Sequence, residues 1–291
     1  MPRQWITVTE DLVGKRTDKL VADFFPSYPR AALHKLFETD NVVLNDKPTK
    51  PGIKVRLGDS VRVDLSPLEI TIADIELPIL YEDSDVLVVN KPAGVISHAR
   101  GRYFDEPSVA SFVRQKVATL TGERSGIVHR LDRATSGVMV CAKNPEALSW
   151  LQRQFSDRKV QKTYMAVVVG SMPTDEGKID MPILRNPAKP VTFHVDPGGK
   201  DSITNYRVIS SHNEHTLLEL RPVTGRTHQL RVHLSHLKHP IVGDELYGGE
   251  KAERLMLHAY SLVITLPSKE QFTFIAPLPE EFKKYTGARN V

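Results

Sequence analysis

The chain has 291 residues, more than one hydrophobic core usually serves, and its 40% hydrophobic and 25% charged content is that of an ordinary globular protein, not a disordered or fibrous one. No apolar run approaches the ~20 residues of a membrane span, Met1-Pro2-Arg3-Gln4 starts no secretory signal, and the single Cys141 cannot form an internal disulfide, so a reducing cytoplasm is expected. The net charge of +4 and pI of about 9.0 favour a polyanionic partner; residues 1–77 hold 11 Lys and Arg against 12 Asp and Glu, so the basic excess lies beyond them.

Trp5 to Val8 reads as a short first strand. In Arg16 to Phe25, a spacing of four puts Leu20 and Phe24, and Val21 and Phe25, on one helical face. Thr17 is placed to cap that helix, and Pro26 and Pro29 part it from a second at Arg30 to Glu38. A Thr39-Asp40-Asn41 turn, a strand Val42 to Leu44, a turn from Asn45 to Pro48 and a strand Ser60 to Leu65 follow. This order, with Arg16, Asp18, Leu20, Arg30, VVLND, KPGIKV and GDSV, resembles the small RNA-binding domain first described in ribosomal protein S-four. Where that domain usually has a turn glycine this chain has Asp40-Asn41, and both residue types tolerate left-handed backbone. The resemblance implies an RNA-facing surface lined by Arg16, Lys19, Arg30, His34 and Lys35. From the residues alone a solvated charged face is equally open, because Asp18, Asp23 and Glu38 are interspersed. Ser66 to Pro78 carries no helix signal, which sets a boundary between a domain at 14–77 and one at 78–291.

Val86 to Val89 is a fully apolar strand leading into an Asn90-Lys91-Pro92-Ala93-Gly94 turn, whose lysine reads as chiefly architectural. Ser108 to Leu120 has the pattern of an amphipathic helix. Gly126 to Gly137 then reads GIVHRLDRATSG: one carboxylate, Asp132, between Arg130 and Arg133, followed by the apolar strand Val138 to Ala142. Asp132 thus sits in a polar loop set into a rigid core, where catalytic groups are commonly held. An isolated Arg-x-Asp-Arg is most often a structural ion pair, contributing ~0–1 kcal/mol. Nine positions in register, HRLDRATSG, are more specific, and they resemble the central motif of the RluA family of RNA pseudouridine synthases.

Asn144 to Phe155 is expected as a helix and Val160 to Gly170 as a strand carrying Lys162-Thr163-Tyr164. Pro187, Pro190 and Pro197-Gly198-Gly199 make Gly170 to Lys200 loops and hairpins, with strands resuming at Ile203 to Ile209 and Thr216 to Leu220. Arg221 to Leu237 shows a Gly225 turn, Thr227 as N-cap, and Leu230, Leu234 and Leu237 on a buried helical stripe beside the Arg231 face. His233, His236 and His239 recur every third residue, yet structural zinc sites generally add cysteine, and none is near; no metal is assigned. The family resemblance extends to Lys91-Pro92-Ala93-Gly94, to Lys162-Thr163-Tyr164, to GRTHQLRVH from Gly225, and to Leu255-Met256-Leu257.

That resemblance implies an α+β fold: a mixed, largely antiparallel bent sheet, with the small helix-helix-strand RNA-binding domain in front. It implies isomerisation of uridine in structured RNA to pseudouridine, by breaking the bond from ribose to the uracil nitrogen, rotating the base and rejoining it through carbon 5. No cofactor, metal or membrane is called for, and a monomer is expected. Asp132, Tyr164 and Arg231 are implied to be the catalytic set, with Arg231 the ion partner of Asp132 and Tyr164 a ring that stacks on the uracil and whose hydroxyl would assist loss of the carbon 5 proton. Arg130 would fill the gap left by the flipped base, Leu257 would pack under that base, and His129 is grouped with the RNA contacts. Whether Asp132 attacks the sugar, attacks the base or removes a sugar proton stays open. Relatives with the front domain mostly modify large-subunit ribosomal RNA, so that target is expected, with transfer RNA as the alternative. The rivals are a glycosidase-type enzyme, which would offer a second catalytic carboxylate, and a non-catalytic RNA-binding assembly factor.

Overall fold

Residues 3–68, 74–98, 106–117, 120 and 124–286 are described by a computed structural model. They form two units, one built on Met1–Ala73, the other on Asp74–His98 and Pro107–Val291. Residues 69–73 of the expected linker and 118–119 of the expected third helix lie outside the described residues.

In the first unit the elements run β1 (Arg3–Thr7), α1 (Thr17–Phe24), α2 (Arg30–Glu38), β2 (Val42–Leu44), β3 (Lys47–Pro48) and β4 (Ser60–Asp64). The strands form an antiparallel sheet in the order β1-β4-β2-β3. Period-2 alternation buries Val61 and Val63 of β4, and the helices lay Leu20, Val21, Leu33 and Leu36 into the same core. Asp40 takes left-handed backbone at φ 56°, and Asn45 and Asp46 do so at 48° and 63°, the pair a two-residue hairpin needs. Thr17 does not cap α1: Arg16 holds the cap position without a side-chain bond, and the first N–H groups are taken by distant carbonyls. Thr17 N–H and Oγ1 both donate to Ile53 O, at 2.8 and 2.7 Å, and Asp18 N–H donates to Pro51 O at 3.0 Å. Two boundary residues differ from the sequence reading. β1 pairs with β4 over all five of its residues, so the unit starts well before residue 14, and Leu77, 5% exposed, belongs to the core of the second unit.

The second unit continues with β5 (Ile79–Glu82), β6 (Val86–Lys91), α3 (Val109–Lys116), β7 (Ser136–Ala142), α4 (Pro145–Ser156), β8 (Gln161–Val169), β9 (Glu176–Asp180), β10 (Ile183–Arg185), β11 (Phe193–Val195), β12 (Ile203–His212), β13 (His215–Pro222), α5 (Gln229–His236), β14 (Leu257–Thr265), β15 (Gln271–Ile275) and α6 (Lys283–Thr286). The order β5-β6-β7-β14-β8-β13-β12-β9 makes one large sheet with β15 paired to β14, while β10 and β11 form a separate hairpin. All its pairings are antiparallel except β7 with β14, and register shifts in β12 and β14 bend it. The α+β, largely antiparallel architecture expected from the sequence is thus the one observed.

The parallel β7–β14 contact explains the end of the central motif. Gly137 has φ 119°, and a Cβ there would meet Ala259 O at 2.2 Å. Two apolar clusters fill the unit, one around β6, β7 and α3, the other around β8, β13 and α5, and Tyr164 packs against both. The loop carrying Asp132 and the start of α5 meet at that junction.

Candidate active site

Asp132 lies between Leu131, 4% exposed, and the turn closed by Thr135 N–H donating to Asp132 O at 3.1 Å. The loop is tied down on both sides. Ser97 Oγ donates to Leu131 O at 2.7 Å and accepts from Leu131 N–H at 2.9 Å. Lys91 is fully buried, and its ammonium donates to Pro92 O, Val95 O and Arg133 O at 2.9, 2.7 and 3.2 Å. Burial pushes the Lys91 pKa down to about 7 while Asp132 opposes the shift. Three carbonyl acceptors match the three N–H groups of the protonated form only. Lys91 is therefore a bolt for the Asp132 loop, out of reach of an RNA phosphate.

The side chain of Asp132 is 20% exposed and faces the start of α5, where His228 Nε2 stands 3.8 Å and Arg231 Nη1 3.9 Å from Oδ2. The strongest partner of Arg231 is another carboxylate. Its Nε and Nη2 donate to Asp244 Oδ2 and Oδ1 at 2.7 and 2.6 Å, a bidentate pair with Asp244 1% exposed. The guanidinium also lies over the Tyr247 ring, 4.9 Å from its centroid. Burial works against the Arg231 charge, but the Asp244 hydrogen bond, the Asp244 charge and then the Asp132 charge raise its pKa above the usual arginine value.

The GRTHQ segment enters α5 differently from the sequence reading. Thr227 is not the N-cap; His228 occupies that position in left-handed backbone at φ 56°, with no side-chain cap. The segment is held by Gln229 instead. Gln229 Oε1 accepts from Thr224 Oγ1 and Arg226 N–H at 2.7 and 3.0 Å, and its Nε2 donates to Ile203 O and Thr204 Oγ1 at 2.9 and 3.0 Å. All residues from Gln229 to Leu234 are buried, so the polar ones must find partners. His233 does so, with Thr204 Oγ1 and Met181 O each 3.0 Å from a ring nitrogen.

Tyr164 sits on β8 opposite Ala259 of β14 and Leu220 of β13. Burial, and then Asp132, raise its phenol pKa above the usual value. Asp132, Tyr164, Arg231, Arg130, Leu257, Lys162, Thr224 and His228 line one cleft of about 120 Å³. Beside it, Arg130, Lys162 and Tyr164 also border a wider groove of about 410 Å³, which runs past Phe155, Arg158 and Arg226. Arg130 is exposed at the mouth, and Leu257, 3% exposed, forms part of the wall.

His129, grouped with the RNA contacts in the sequence, borders the wider groove. Its Nε2 accepts from Val140 N–H at 3.1 Å and its ring stacks on Phe155 at 4.6 Å, so the nitrogen is used and burial lowers its pKa to about 3. In the first unit Arg16, Lys19, Arg30 and Lys35 are all exposed, and Arg16 pairs with Asp18 at 2.9 and 3.2 Å. Sequence reasoning missed Asp244 and Tyr247. The available signal was a carboxylate directly after the apolar Ile241-Val242-Gly243, in a segment with no adjacent cation. A Cβ on Gly243 would meet Arg254 O at 1.9 Å, so only glycine lets the chain deliver Asp244 there.

Residues 85–236 match the family model described as RNA pseudouridylate synthase. The ribosomal large subunit pseudouridine synthase D of Xylella fastidiosa is 37% identical over 302 residues, covering 97% of this chain and 91% of that protein. The protein of the same description from Yersinia pestis is 36% identical, covering 97% and 93%. Among solved structures, human RNA pseudouridylate synthase domain containing 1 aligns with a TM-score of 0.59 and 31% identity, covering 69% of this chain and 83% of that one. Its counterpart, domain containing 4, gives 0.58 and 30%, covering 70% and 90%. With the central motif around Asp132 inside the matched region, the chain belongs to the RNA pseudouridylate synthase family, the RluA-type family that its motifs resemble.

Proposed function

We propose that this protein converts specific uridines of large-subunit ribosomal RNA to pseudouridine, with Asp132 as the catalytic group, acting as a cytoplasmic monomer without a cofactor. The observation that carries this reading is the placement of Asp132, 20% exposed, in a cleft lined by Tyr164, Leu257 and the buried cation Arg231. The likeness to proteins described as ribosomal large subunit pseudouridine synthase D, over nearly the whole chain, supports the choice of RNA.

The chemistry is an isomerisation: the bond from ribose carbon 1 to uracil nitrogen 1 breaks, a bond to carbon 5 forms, the carbon 5 proton leaves and nitrogen 1 gains one. Reaching Asp132 requires the uridine to leave its stack. Leu257 then supports the base, Tyr164 stacks on it, and Arg130, exposed at the mouth, occupies the vacated position. Arg231 keeps a positive charge beside Asp132 at any working pH, so a cation faces the group that acts as nucleophile or charge stabiliser. Tyr164, its phenol raised by burial, acts by stacking and not as a phenolate base. Asp244 is a second carboxylate nearby, but it is 1% exposed and bound bidentate by Arg231, so it is not placed to protonate a leaving group as a glycosidase would require. The first unit serves as the S-four-type RNA-binding module, presenting Lys19, Arg30 and Lys35 from α1 and α2 to phosphates.

Pseudouridine mapping of ribosomal and transfer RNA, with and without the protein and with Asp132→Asn in its place, tests the reading. The expected result is loss of one or a few ribosomal sites in both the null and Asp132→Asn strains. Unchanged ribosomal RNA, or full modification by Asp132→Asn, overturns it.

A further inference from the structure

His228 is absorbed by neither the core nor the roles above, yet its ring is held from three directions. Its Nδ1 lies 2.8 Å from Tyr247 Oη, and its ring makes T-shaped contacts with Phe193 and Tyr247, with centroids 5.6 Å away in each case. Its other nitrogen, Nε2, points at Asp132 Oδ2, 3.8 Å away. Tyr247 Oη in turn accepts from Phe193 N–H at 2.9 Å. Having accepted one bond, that hydroxyl has one proton to give, and His228 Nδ1 is the acceptor within reach. An Nδ1–H tautomer would set two protons against each other or leave the phenol proton without a partner.

The geometry points to His228 as a positioning residue for Asp132: Tyr247 locks the neutral imidazole in the Nε2–H tautomer, and that N–H holds Oδ2 of the carboxylate so that Oδ1 faces the flipped uridine. This rests on the reading of Asp132 as the catalytic group. Burial favours the neutral form of both partners, raising the Tyr247 phenol and lowering the His228 imidazole. A separation of 3.8 Å exceeds a hydrogen bond. One bridging water, or a closure of about 1 Å when substrate enters, completes the contact. Arg231 Nη1, 3.9 Å from the same Oδ2, supplies charge from the second side, so one carboxylate oxygen is held by the protein and the other is left for the reaction. His228 holds this position from left-handed backbone at φ 56° at the start of α5.

Two substitutions separate this role from a purely structural one, because their rankings are opposite. Asn tolerates left-handed backbone better than Gln does, but its amide stands where Nδ1 was; Gln is strained at that φ and places its amide where Nε2–H was. Single-turnover tritium release from RNA labelled at uridine carbon 5 is measured for wild type, His228→Asn, His228→Gln and Asp132→Asn, with RNA affinity measured in parallel. If His228 positions Asp132, His228→Gln stays within about tenfold of wild type while His228→Asn falls by about a hundredfold, with RNA affinity unchanged. If His228→Asn equals or exceeds His228→Gln, the residue serves the backbone and the inference is overturned. An active Asp132→Asn would instead remove the reading on which it rests. Independently of activity, nitrogen-15 NMR of the wild-type imidazole, assigned with His228→Asn, is expected to show the Nε2–H tautomer, and Tyr247→Phe is expected to mix the two. A wild-type Nδ1–H tautomer overturns the inference whatever the rates of the two His228 variants.

Discussion

The Arg231–Asp244 pair offers the sharpest test of how this site is built, because its stability and catalytic consequences diverge. Arg231→Met leaves Asp244, 1% exposed, without two charge-assisted bonds of 2.7 and 2.6 Å. Stranding a buried charge in this way costs about 3–5 kcal/mol. Asp244→Leu strands the guanidinium, but Asp132 at 3.9 Å and the Tyr247 ring at 4.9 Å still face it, so its loss falls at the lower end of that range. The double variant Arg231→Met/Asp244→Leu removes both charges, and exchanging a buried pair for apolar groups is often neutral or stabilising. The two single losses, together about 6–8 kcal/mol, therefore far exceed the double loss, which stays near zero. Urea unfolding in a Trp5→Phe background reads this out, since the remaining Trp150 lies on α4 in the second unit. A 3 kcal/mol loss moves the midpoint by about 1 M or more. Turnover behaves otherwise: both variants that lack Arg231 lose activity, the double included, because neither keeps a cation beside Asp132. Additive stability losses, or a double variant that regains activity, would refute the reasoning.

Tyr164→Phe is expected to keep RNA affinity and the alkaline limb of the single-turnover rate, since the raised phenol does not ionise in the working range; loss of an alkaline pKa from the profile would show proton transfer by Tyr164. Lys91→Met removes the tie to Arg133 O and is expected to slow turnover by about tenfold or more at unchanged RNA affinity, whereas equal losses in both would mean general unfolding of the loop. His258 is fully buried, and burial, helped by the Arg254 charge and opposed by the Ala276 carbonyl, lowers its pKa to about 4, while the unfolded chain takes up that proton near ~6.5. Its contribution is intact above ~6.5 and declines as pH falls toward 4, reaching a loss of about 2 kcal/mol at pH 5, and His258→Gln should flatten urea stability between pH 7.5 and 5 by that amount. A second unit starting at Asp74 is expected to fold on its own with weaker and less salt-dependent RNA binding, while a start at Pro78 deletes the buried Leu77 and lowers its melting temperature; equal stability of the two truncations would place Leu77 outside the core.

Local pattern determined much of this protein in the sequence itself. Spacing of four placed α1, Pro26 and Pro29 set off α2, β-branched runs placed β6 and β7, and the stretch Asn144 to Phe155 took in α4 but for its last residue, because each signal acts within a few residues. Nine consecutive positions likewise singled out Asp132, since a loop that must present one carboxylate between fixed neighbours leaves a contiguous record. What lay beyond reach were the contacts that close over distance. Thr17 carries the residue type of a cap, yet Ile53 supplies the carbonyl that holds it; Thr227 has the same type, yet the side chain of Gln229 and the left-handed His228 set the start of α5. Arg231 looked toward Asp132, but only the folded chain shows Asp244 gripping it from 13 residues away, and Tyr247 Oη reaching His228 across 19. Lys91, in a turn that read as architectural, reaches the carbonyl of Arg133 across 42 residues. The physical reason is common to all of these. Whether a polar group is exposed, capped or paired depends on what remains to satisfy it once water is excluded, and that is decided by which segments the sheet brings together.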